Sequence, residues 1–421
     1  MAELIIRGGQ PLDGKTAIQG AKNSALPILA ACALTKDTCV LRNVPHLTDV
    51  DASAAILRHA GAAVTCEPDA LSVTAGSITN ADVPDELMQA MRSSVLFAGP
   101  LLGRTGRAAF SLPGGCELGP RPVDLHLAAF AALGAKADVR GGHIVCRGKL
   151  RGGAVRLSYP SVGATENALM AAVLARGESV ISGAACEPEI MELADFLRAL
   201  GAKIAGDGTP VIRVLGVPAL HGAEHAIRPD RIVTATYLCA AAAAGGEAYL
   251  SGARPEQLRP VIGALRQAGA DISEEPGGLR IRAGALHAPG MIVTAPYPGF
   301  PTDAQAPVMA ALLRAEGRTE IRETVFSARF SHVPELRRLG ANIELDGQTA
   351  HVRGVAALHG THLRAGDLRG GAAAVIGALG AAGESHVTGL SHLDRGYEDI
   401  ARDLTALGAA VSRTDAAGHT N

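Results

Sequence analysis

The stretch EPEIMELADFLRALGAKI at residues 187–204 combines signals for a helix, for its end and for a following strand. The apolar residues Leu193, Leu197 and Leu200 recur at three- and four-residue spacing, which predicts a helix with one buried face. Gly201 stands where a left-handed residue would end that helix. The residues after it predict a strand.

The same combination occurs six times, at intervals of roughly 70 residues, which indicates an internal repeat. Upstream of each occurrence lies a stretch of small apolar residues with little charge, such as GATENALMAAVLA at residues 163–175, which predicts a helix buried on all sides. Six βαβαβ-type units in two lobes of three are therefore expected, with the break near Pro229–Arg231. The glycines that end the amphipathic helices are Gly61, Gly134, Gly201, Gly269, Gly340 and Gly408.

Composition excludes several classes of protein. A chain of 421 residues with 48% hydrophobic and 19% charged residues is globular and too long for one ordinary core. Aromatic residues make up 3% and tryptophan is absent, which argues against stacking platforms for nucleic acids. A net charge of -2 gives no general basic field for nucleic acid or anionic membrane, so neither is expected as a partner.

The seven cysteines include no CxxC pair and the histidines show no HExxH pattern, so neither a metal nor a cofactor is predicted. Most of the cysteines lie in apolar runs and are expected to be buried and inert. The sequence begins MAELIIRGGQ, without the pattern of a signal peptide, and the longest apolar runs are shorter than a membrane span. We expect a cytoplasmic protein.

One cysteine stands apart from the others. In SLPGGCELGPRPVDLH, at residues 111–126, Cys116 lies among glycines and prolines and is followed by Arg121. A thiol on such a loop and near a cation is placed for chemistry, although an incidental loop cysteine remains an alternative. His126, at the end of this stretch, is either a substrate contact or a structural residue.

Basic and polar residues begin several of the predicted buried helices. A lysine or arginine at a helix N-terminus opposes the helix dipole unless an anion intervenes, so their placement at matching points of the repeat predicts a shared anion pocket. Some of these residues are expected to be ordinary caps. The residues are Lys22, Asn23, Arg92, Ser93, Arg231, Thr302, Asp303, Asp367 and Arg369.

Residues 9–16 match the phosphate-binding pattern GxxxxGK[ST]. That pattern requires a helix that begins at the lysine, whereas TAIQG alternates like a strand. The segment is predicted to be a β-hairpin with a turn at Pro11–Gly14, not a nucleotide site.

Ordered blocks along nearly the whole chain resemble the enolpyruvyltransferases: GAKNSALPIL, MRSSVLFAGPLL, LPGGCELGPRPVDLH, PSVGATENALMAA, PGFPTDAQA, ETVF and HLDRGYE. The resemblance implies an α/β fold, the two-lobed inverse α/β barrel of EPSP synthase, with six βαβαββ-type repeats, three per lobe. It implies an N-terminal lobe of residues 22–229 that carries the Cys116 loop. Residues 1–21 and 230–421 would form the C-terminal lobe, and the lobes would close around a cleft.

The resemblance also implies the reaction, which transfers the enolpyruvyl group of phosphoenolpyruvate to the 3′-hydroxyl of UDP-N-acetylglucosamine and releases phosphate. This is the first committed step of peptidoglycan precursor synthesis. Cys116 would protonate C3 of phosphoenolpyruvate, and Asp303 would accept the hydroxyl proton or hold the sugar. The residues implied for phosphoenolpyruvate are Lys22, Asn23, Arg121 and Arg395. Those implied for the nucleotide sugar are Arg92, Arg121, Pro122, Val123, Asp124, Leu125, Ser161, Val162, Gly163, Asp303 and Val325. Those implied to support the closed cleft are Arg329, Asp367 and Arg369.

The chain departs from the family pattern at a few places. Ser327 and Ala328 stand where Glu-Asn is usual, Tyr297 where His is common, Val233 where Glu is common, and Gly370 where Ala is usual. None of these is a residue implied to bind the reactants or to donate the proton.

Two alternatives remain open from the sequence. The first is the sister enzyme class that transfers enolpyruvate to shikimate 3-phosphate, which would not need the LPGGC loop. The second is a non-catalytic paralogue that binds the UDP-sugar for regulation, which the departure at Ser327 and Ala328 motivates.

Overall fold

The computed structural model describes residues 2–112 and 123–414. The chain divides into two compact units. The middle unit runs from Gly20 to Arg228, and the terminal unit combines the residues up to Gln19 with those from Pro229 onward. Each unit has its own hydrophobic core.

The terminal unit begins with β1 (Glu3–Gly8) and β2 (Leu12–Ala17). The middle unit contains α1 (Lys22–Ala31), β3 (Thr38–Arg42), α2 (Thr48–Ala60), β4 (Ala63–Glu67), β5 (Ala70–Thr74), α3 (Asp85–Ala90), α4 (Ala98–Thr105), β6 (Arg107–Ser111), α5 (Asp124–Ala132), β7 (Lys136–Arg140), β8 (His143–Arg147), β9 (Ala154–Arg156), α6 (Val162–Ala172), β10 (Glu178–Ser182), α7 (Pro188–Ala199), β11 (Lys203–Ala205), β12 (Val211–Leu215) and β13 (Glu224–Ala226).

The terminal unit continues with α8 (Arg231–Ala244), β14 (Gly246–Ser251), α9 (Arg259–Gln267), β15 (Asp271–Glu275), β16 (Gly278–Ala283), β17 (Met291–Val293), α10 (Gln305–Ala311), β18 (Arg318–Arg322), α11 (Val333–Arg338), β19 (Asn342–Asp346), β20 (Thr349–Arg353), β21 (His362–Arg364), α12 (Leu368–Gly380), β22 (Gly383–Thr388), α13 (Ile400–Ala406) and β23 (Ala410–Thr414).

The structure contains one small sheet for each repeat of the sequence, and three of the six sheets take one strand from a distant part of the chain. In the repeat β9-α6-β10-α7-β11-β12, strand β10 pairs in parallel with β9 and antiparallel with β12, and β12 pairs with β11. Within the described residues each unit has three such sheets, and five of the six sheets have four strands. In the sixth, β6-β8-β7, an isolated parallel bridge between Asp82 and Ala109 takes the place of the first strand. The predicted α/β fold of βαβαββ repeats, three per lobe, is confirmed.

The strands β1 and β2 correct the prediction of a hairpin over residues 9–16, which was wrong. Strand β1 lies between β22 and β23, whereas β2 pairs in parallel with β14, so the two belong to different sheets. Glycine lets both strands pass close to neighbouring backbone: a Cβ on Gly8 would lie 2.0 Å from the Ala378 carbonyl oxygen, and one on Gly14 would lie 2.2 Å from that of Ala406. Lys15 lies within β2 and not at a helix start, so the phosphate-loop match is excluded as predicted.

The six repeat glycines all adopt the left-handed conformation, with φ between 88° at Gly408 and 106° at Gly61. A residue with a Cβ costs roughly 1–2 kcal/mol in this conformation. The glycine therefore ends each amphipathic helix and turns the chain into the next strand, as predicted.

The helices of small residues are buried, also as predicted. In the terminal unit, α8, α10 and α12 pack on one another at the centre, and every residue from Arg369 to Gly380 is buried. Three of the predicted helices are not continuous. The helix α1 is followed by the 3₁₀ segment Cys32–Leu34, and α4 and α10 are preceded by the 3₁₀ segments Arg92–Phe97 and Thr302–Ala304 respectively. Within the described residues, no helix has both the length and the apolar character needed to cross a bilayer.

Candidate active site

Three of the predicted site residues, Cys116, Arg121 and Pro122, lie outside the described residues. Arg92 begins a 3₁₀ segment, and its side chain is likewise outside the description. The remaining predicted residues are divided between the two units, and each group is described within its own unit.

In the middle unit, Lys22 and Asn23 are the first two residues of α1. The N-cap residue, Ala21, provides no side-chain cap, so the first backbone N–H groups of α1 are not capped by a side chain. The Lys22 Nζ atom lies 2.6 Å from Oδ2 of Asp49, and this carboxylate is 3% exposed. Asp49 therefore fixes the ammonium group beside the positive end of a helix and compensates its charge.

Two of the segments predicted to bind the nucleotide sugar also lie at helix starts. Asp124 and Leu125 begin α5, and Val162 and Gly163 begin α6. The Ser161 hydroxyl caps α6 by accepting a hydrogen bond from Ala164 N at 3.4 Å. The helices α5 and α6 pack on each other, so the structure brings these two segments together.

His126 lies on α5, its side chain contacts α6, and the residue is 8% exposed. The Asn167 side chain donates from Nδ2 to His126 Nδ1 at 2.8 Å, since its Oδ1 already accepts from Gly99 N at 2.7 Å. His126 Nδ1 is therefore an acceptor, which places the proton of the neutral ring on Nε2. Burial lowers the pKa of His126 to about 4. A Cβ on Gly163 would lie 3.3 Å from His126 Cε1, so the glycine lets the two helix starts approach. Of the two possibilities open from the sequence, the described contacts support the structural one.

In the terminal unit, Asp303 lies in the 3₁₀ segment before α10 and is held by two arginines. Its Oδ1 accepts from Arg329 Nη2 at 2.5 Å, and its Oδ2 accepts from Arg369 Nη2 at 3.2 Å. The side chains of Arg329 and Arg369 are only 4% and 7% exposed. Two buried guanidinium groups thus orient the carboxylate and stabilise its negative charge.

Arg369 is itself held by Asp367, the N-cap of α12, through its backbone. Oδ1 of Asp367 accepts from Arg369 N and Gly370 N, both at 3.0 Å, and Oδ2 accepts from the Ser331 hydroxyl at 3.0 Å. Burial raises the pKa of Asp367, but these hydrogen bonds and the charge of Arg329 outweigh it, so the pKa is lowered overall. A Cβ on Gly370 would lie 2.8 Å from Asp367 Oδ2, so this departure from the family pattern makes room for the carboxylate.

Arg395 lies in the turn that follows the 3₁₀ segment Leu390–His392. Gln19 braces this turn, because its Nε2 donates to Gly396 O at 3.2 Å and its Oε1 accepts from Glu398 N at 2.9 Å. Sequence reasoning missed Gln19. Gln19 and Gly396 are 377 positions apart in the sequence, so no local signal indicates the contact.

The other departures fit the structure around them. Val233 is 1% exposed in α8, and its backbone N donates to Asp230 Oδ1 at 3.0 Å. The Tyr297 ring lies 6.0 Å from the guanidinium carbon of Arg231. Ser327 and Ala328 are exposed, whereas the next residue, Arg329, is buried.

Comparison of the whole chain with known proteins identifies its family. The family described as EPSP synthase (3-phosphoshikimate 1-carboxyvinyltransferase) matches residues 6–404. The chain is 47% identical to the UDP-N-acetylglucosamine 1-carboxyvinyltransferase of Paramagnetospirillum magneticum, over 98% of both chains. It is 48% identical to the enzyme of that name from Granulibacter bethesdensis, over 98% of this chain and 99% of the relative.

Solved structures share the fold. The enolpyruvyl transferase NikO from Streptomyces tendae has a TM-score of 0.87 at 26% identity and covers 100% of this chain, with 99% of NikO covered. The EPSP synthase of Acinetobacter baumannii has a TM-score of 0.74 at 18% identity, with 99% of this chain and all of that chain covered. The chain belongs to the enolpyruvyltransferase family, in the branch of the UDP-N-acetylglucosamine 1-carboxyvinyltransferases.

Proposed function

We propose that this enzyme transfers the enolpyruvyl group of phosphoenolpyruvate to the 3′-hydroxyl of UDP-N-acetylglucosamine and releases phosphate. The observation that carries the proposal is 47–48% identity, over nearly the full length, to enzymes named for that transfer. On this proposal the enzyme works in the cytoplasm and catalyses the first committed step of peptidoglycan precursor synthesis. Cell-wall growth, cell shape and division would depend on it.

Transfer to shikimate 3-phosphate is the weaker candidate. The solved EPSP synthase shares 18% of its residues with this chain, against 47–48% for the nucleotide-sugar enzymes. The non-catalytic alternative was motivated by Ser327 and Ala328. Both are exposed, and the buried Arg329 beside them keeps its bond to Asp303, so the departure leaves this arrangement in place.

The addition step needs one proton acceptor and one proton donor. The elimination step needs a base for the C3 proton, which the thiolate left on Cys116 provides. The sugar hydroxyl attacks C2 of phosphoenolpyruvate while C3 gains a proton, which gives a tetrahedral ketal, and loss of a proton from C3 then expels phosphate. We assign Cys116 as the donor to C3, because a thiol with a pKa of about 8.5 is mostly protonated at neutral pH. Asp303, oriented by Arg329 and Arg369, holds the 3′-hydroxyl and takes its proton as the new C–O bond forms.

The remaining residues are assigned either to phosphoenolpyruvate or to the nucleotide sugar. The phosphate and carboxylate of phosphoenolpyruvate bind to cationic side chains and to the amide of an asparagine, since the planar fork of arginine matches both anions. The nucleotide sugar binds at the starts of α5 and α6 and at the segment after β18. Asp367 supports Asp303 through Arg369. The residues proposed for phosphoenolpyruvate are Lys22, Asn23, Arg121 and Arg395. Those proposed for the nucleotide sugar are Arg92, Arg121, Pro122, Val123, Asp124, Leu125, Ser161, Val162, Gly163, Asp303 and Val325.

Phosphate release tests the proposal. Wild-type enzyme should release phosphate from phosphoenolpyruvate only when UDP-N-acetylglucosamine is present, and shikimate 3-phosphate should not replace it. Cys116→Ala should lower kcat by about 10²-fold or more, the usual contribution of a positioned proton donor. Cys66→Ala is the matched control, because Cys66 is an exposed free cysteine of β4 and should keep full activity.

Each alternative has its own outcome. Turnover with shikimate 3-phosphate alone would assign the chain to the sister reaction. Tight binding of the UDP-sugar without phosphate release would favour the regulatory paralogue. Equal activity of the Cys116 and Cys66 variants would remove Cys116 from the mechanism.

A further inference from the structure

Glu323 follows β18 in the terminal unit and is 1% exposed. Its two oxygens accept four hydrogen bonds. Oε1 accepts from the Thr294 hydroxyl at 2.9 Å, from Val325 N at 2.8 Å and from Phe326 N at 3.1 Å. Oε2 accepts from the Thr302 hydroxyl at 2.8 Å. The hydrogen bonds offset the free-energy cost of burying the carboxylate, and they fix the positions of both of its oxygens.

The parallel pairing of β17 and β18 brings these residues together. Thr294 follows β17 and Glu323 follows β18, so both lie at the same edge of the sheet. Thr294 N donates to Arg322 O at 3.0 Å, and Thr324 N donates to the Thr294 hydroxyl at 2.9 Å. Thr294 and Thr324 therefore lock the two strand ends together, and Glu323 projects from a rigid base.

The two oxygens of Glu323 hold two different segments. Oε1 holds the backbone at Val325, where the nucleotide sugar is proposed to bind. Oε2 holds Thr302, the residue immediately before Asp303. The carbonyl oxygen of Thr302 also accepts from Arg329 Nη2 at 3.4 Å, the same nitrogen that bonds to Asp303. One buried carboxylate thus fixes the distance between a sugar-binding segment and the proton acceptor.

We propose that Glu323 is a positioning residue of the transfer reaction, which aligns Asp303 through Thr302 and the nucleotide-sugar contact through the backbone of Val325. This inference rests on the proposed function. The carboxylate is buried and acts through these two segments. Small displacements of reacting groups are costly in rate, so loss of either connection should change kinetics more than stability.

The connection to Thr302 can be removed alone, whereas a substitution at Glu323 weakens both connections. Thr302→Val removes only the bond to Oε2, whereas Thr302→Ser keeps the hydroxyl and serves as the conservative rescue. Glu323→Gln replaces one oxygen by an amide NH₂ group, which removes the charge from all four bonds and weakens both connections. Glu320→Gln is the matched control, because Glu320 lies on β18 and its side chain is 35% exposed.

The expected result is a split between kcat and KM. Thr302→Val should lower kcat about tenfold or more while raising KM for UDP-N-acetylglucosamine no more than about threefold, and Thr302→Ser should restore kcat to within about threefold. Glu323→Gln should lower kcat and also raise that KM by about tenfold. KM for phosphoenolpyruvate should stay constant, and Glu320→Gln should match wild type. All assays should be run well below the melting temperature of every variant.

Two results would overturn the inference. One is equal kcat for Thr302→Val and Thr302→Ser. The other is a Glu323→Gln enzyme whose KM for the UDP-sugar matches wild type. A wild-type enzyme without turnover would instead contradict the proposed function. Calorimetric binding of UDP-N-acetylglucosamine would then still test Glu323, since Glu323→Gln should weaken binding and Thr302→Val should leave it nearly unchanged.

Discussion

Acidification should destabilise the middle unit through His126. The ring is buried, its Nδ1 accepts a hydrogen bond from Asn167, and burial lowers its pKa to about 4. In the unfolded chain the pKa of a histidine is about 6.5. Because the folded pKa lies below the unfolded one, the contribution to stability is complete above about pH 6.5 and is lost as the pH falls towards about 4.

The size of the effect follows from these two pKa values. Between pH 7 and pH 5, the unfolded chain gains most of a proton at this site and the folded chain gains almost none. The free energy of unfolding should therefore fall by about 2 kcal/mol from this one residue. Over the whole window, the shift of about 2.5 pKa units corresponds to roughly 3 kcal/mol. His332, whose pKa burial also lowers to about 4, should have a similar effect in the terminal unit.

Urea unfolding at pH 7 and at pH 5 measures this loss, with circular dichroism as the probe because the chain contains no tryptophan. His126→Asn keeps an acceptor near the Nδ1 position but does not titrate. The variant should be less stable than wild type at pH 7, and its loss between pH 7 and pH 5 should be smaller by about 2 kcal/mol. His143→Asn is the control, since this side chain is 59% exposed. If His126→Asn and wild type lost equal stability on acidification, the reasoning would be refuted.

The remaining predictions concern the reactants. Fosfomycin, an epoxide, should inactivate the enzyme irreversibly by alkylating Cys116, faster when UDP-sugar is present. Cys116→Asp should stay active and escape the drug, since a carboxylic acid can also donate a proton; an intact-mass measurement without an adduct on the wild-type enzyme would contradict this. Gln19→Met should leave the Gly396 carbonyl and the Glu398 N–H without their side-chain partner, loosen the turn of Arg395 and raise KM for phosphoenolpyruvate about tenfold. An unchanged KM would show that Gln19 does not position Arg395.

Much of the fold could be predicted because its signals are local and repeated. A glycine such as Gly201 at the end of an amphipathic helix is needed for its positive φ, and six occurrences at similar intervals reveal the repeat. The hairpin over residues 9–16 was predicted wrongly for the opposite reason. The partners of β1 and β2 lie in distant parts of the sequence, and a short alternating segment does not indicate which strand it pairs with.

The candidate site, like the fold, could be predicted only where the sequence carries a local signal. Lys22 and Asp303 were visible because a charged residue before a run of small apolar residues marks a helix start. The roles of these residues came from the family resemblance and not from their spacing. Gln19 and Glu323 were missed. Each acts through hydrogen bonds to backbone or hydroxyl groups. Among the described residues neither forms an ion pair that a sequence pattern could suggest.

The position of β1 between β22 and β23 has a consequence for synthesis on the ribosome. The middle unit has all its strands once Arg228 has emerged, so it can fold while translation continues. The terminal unit must wait, because Glu3 pairs with Thr388 and with Thr414. Until then β1 presents strand edges without their native neighbours, whereas β2 can pair with β14 once Ser251 has emerged. Such unpaired edges promote aggregation. Chaperones should therefore bind mainly to β1 during the second half of translation.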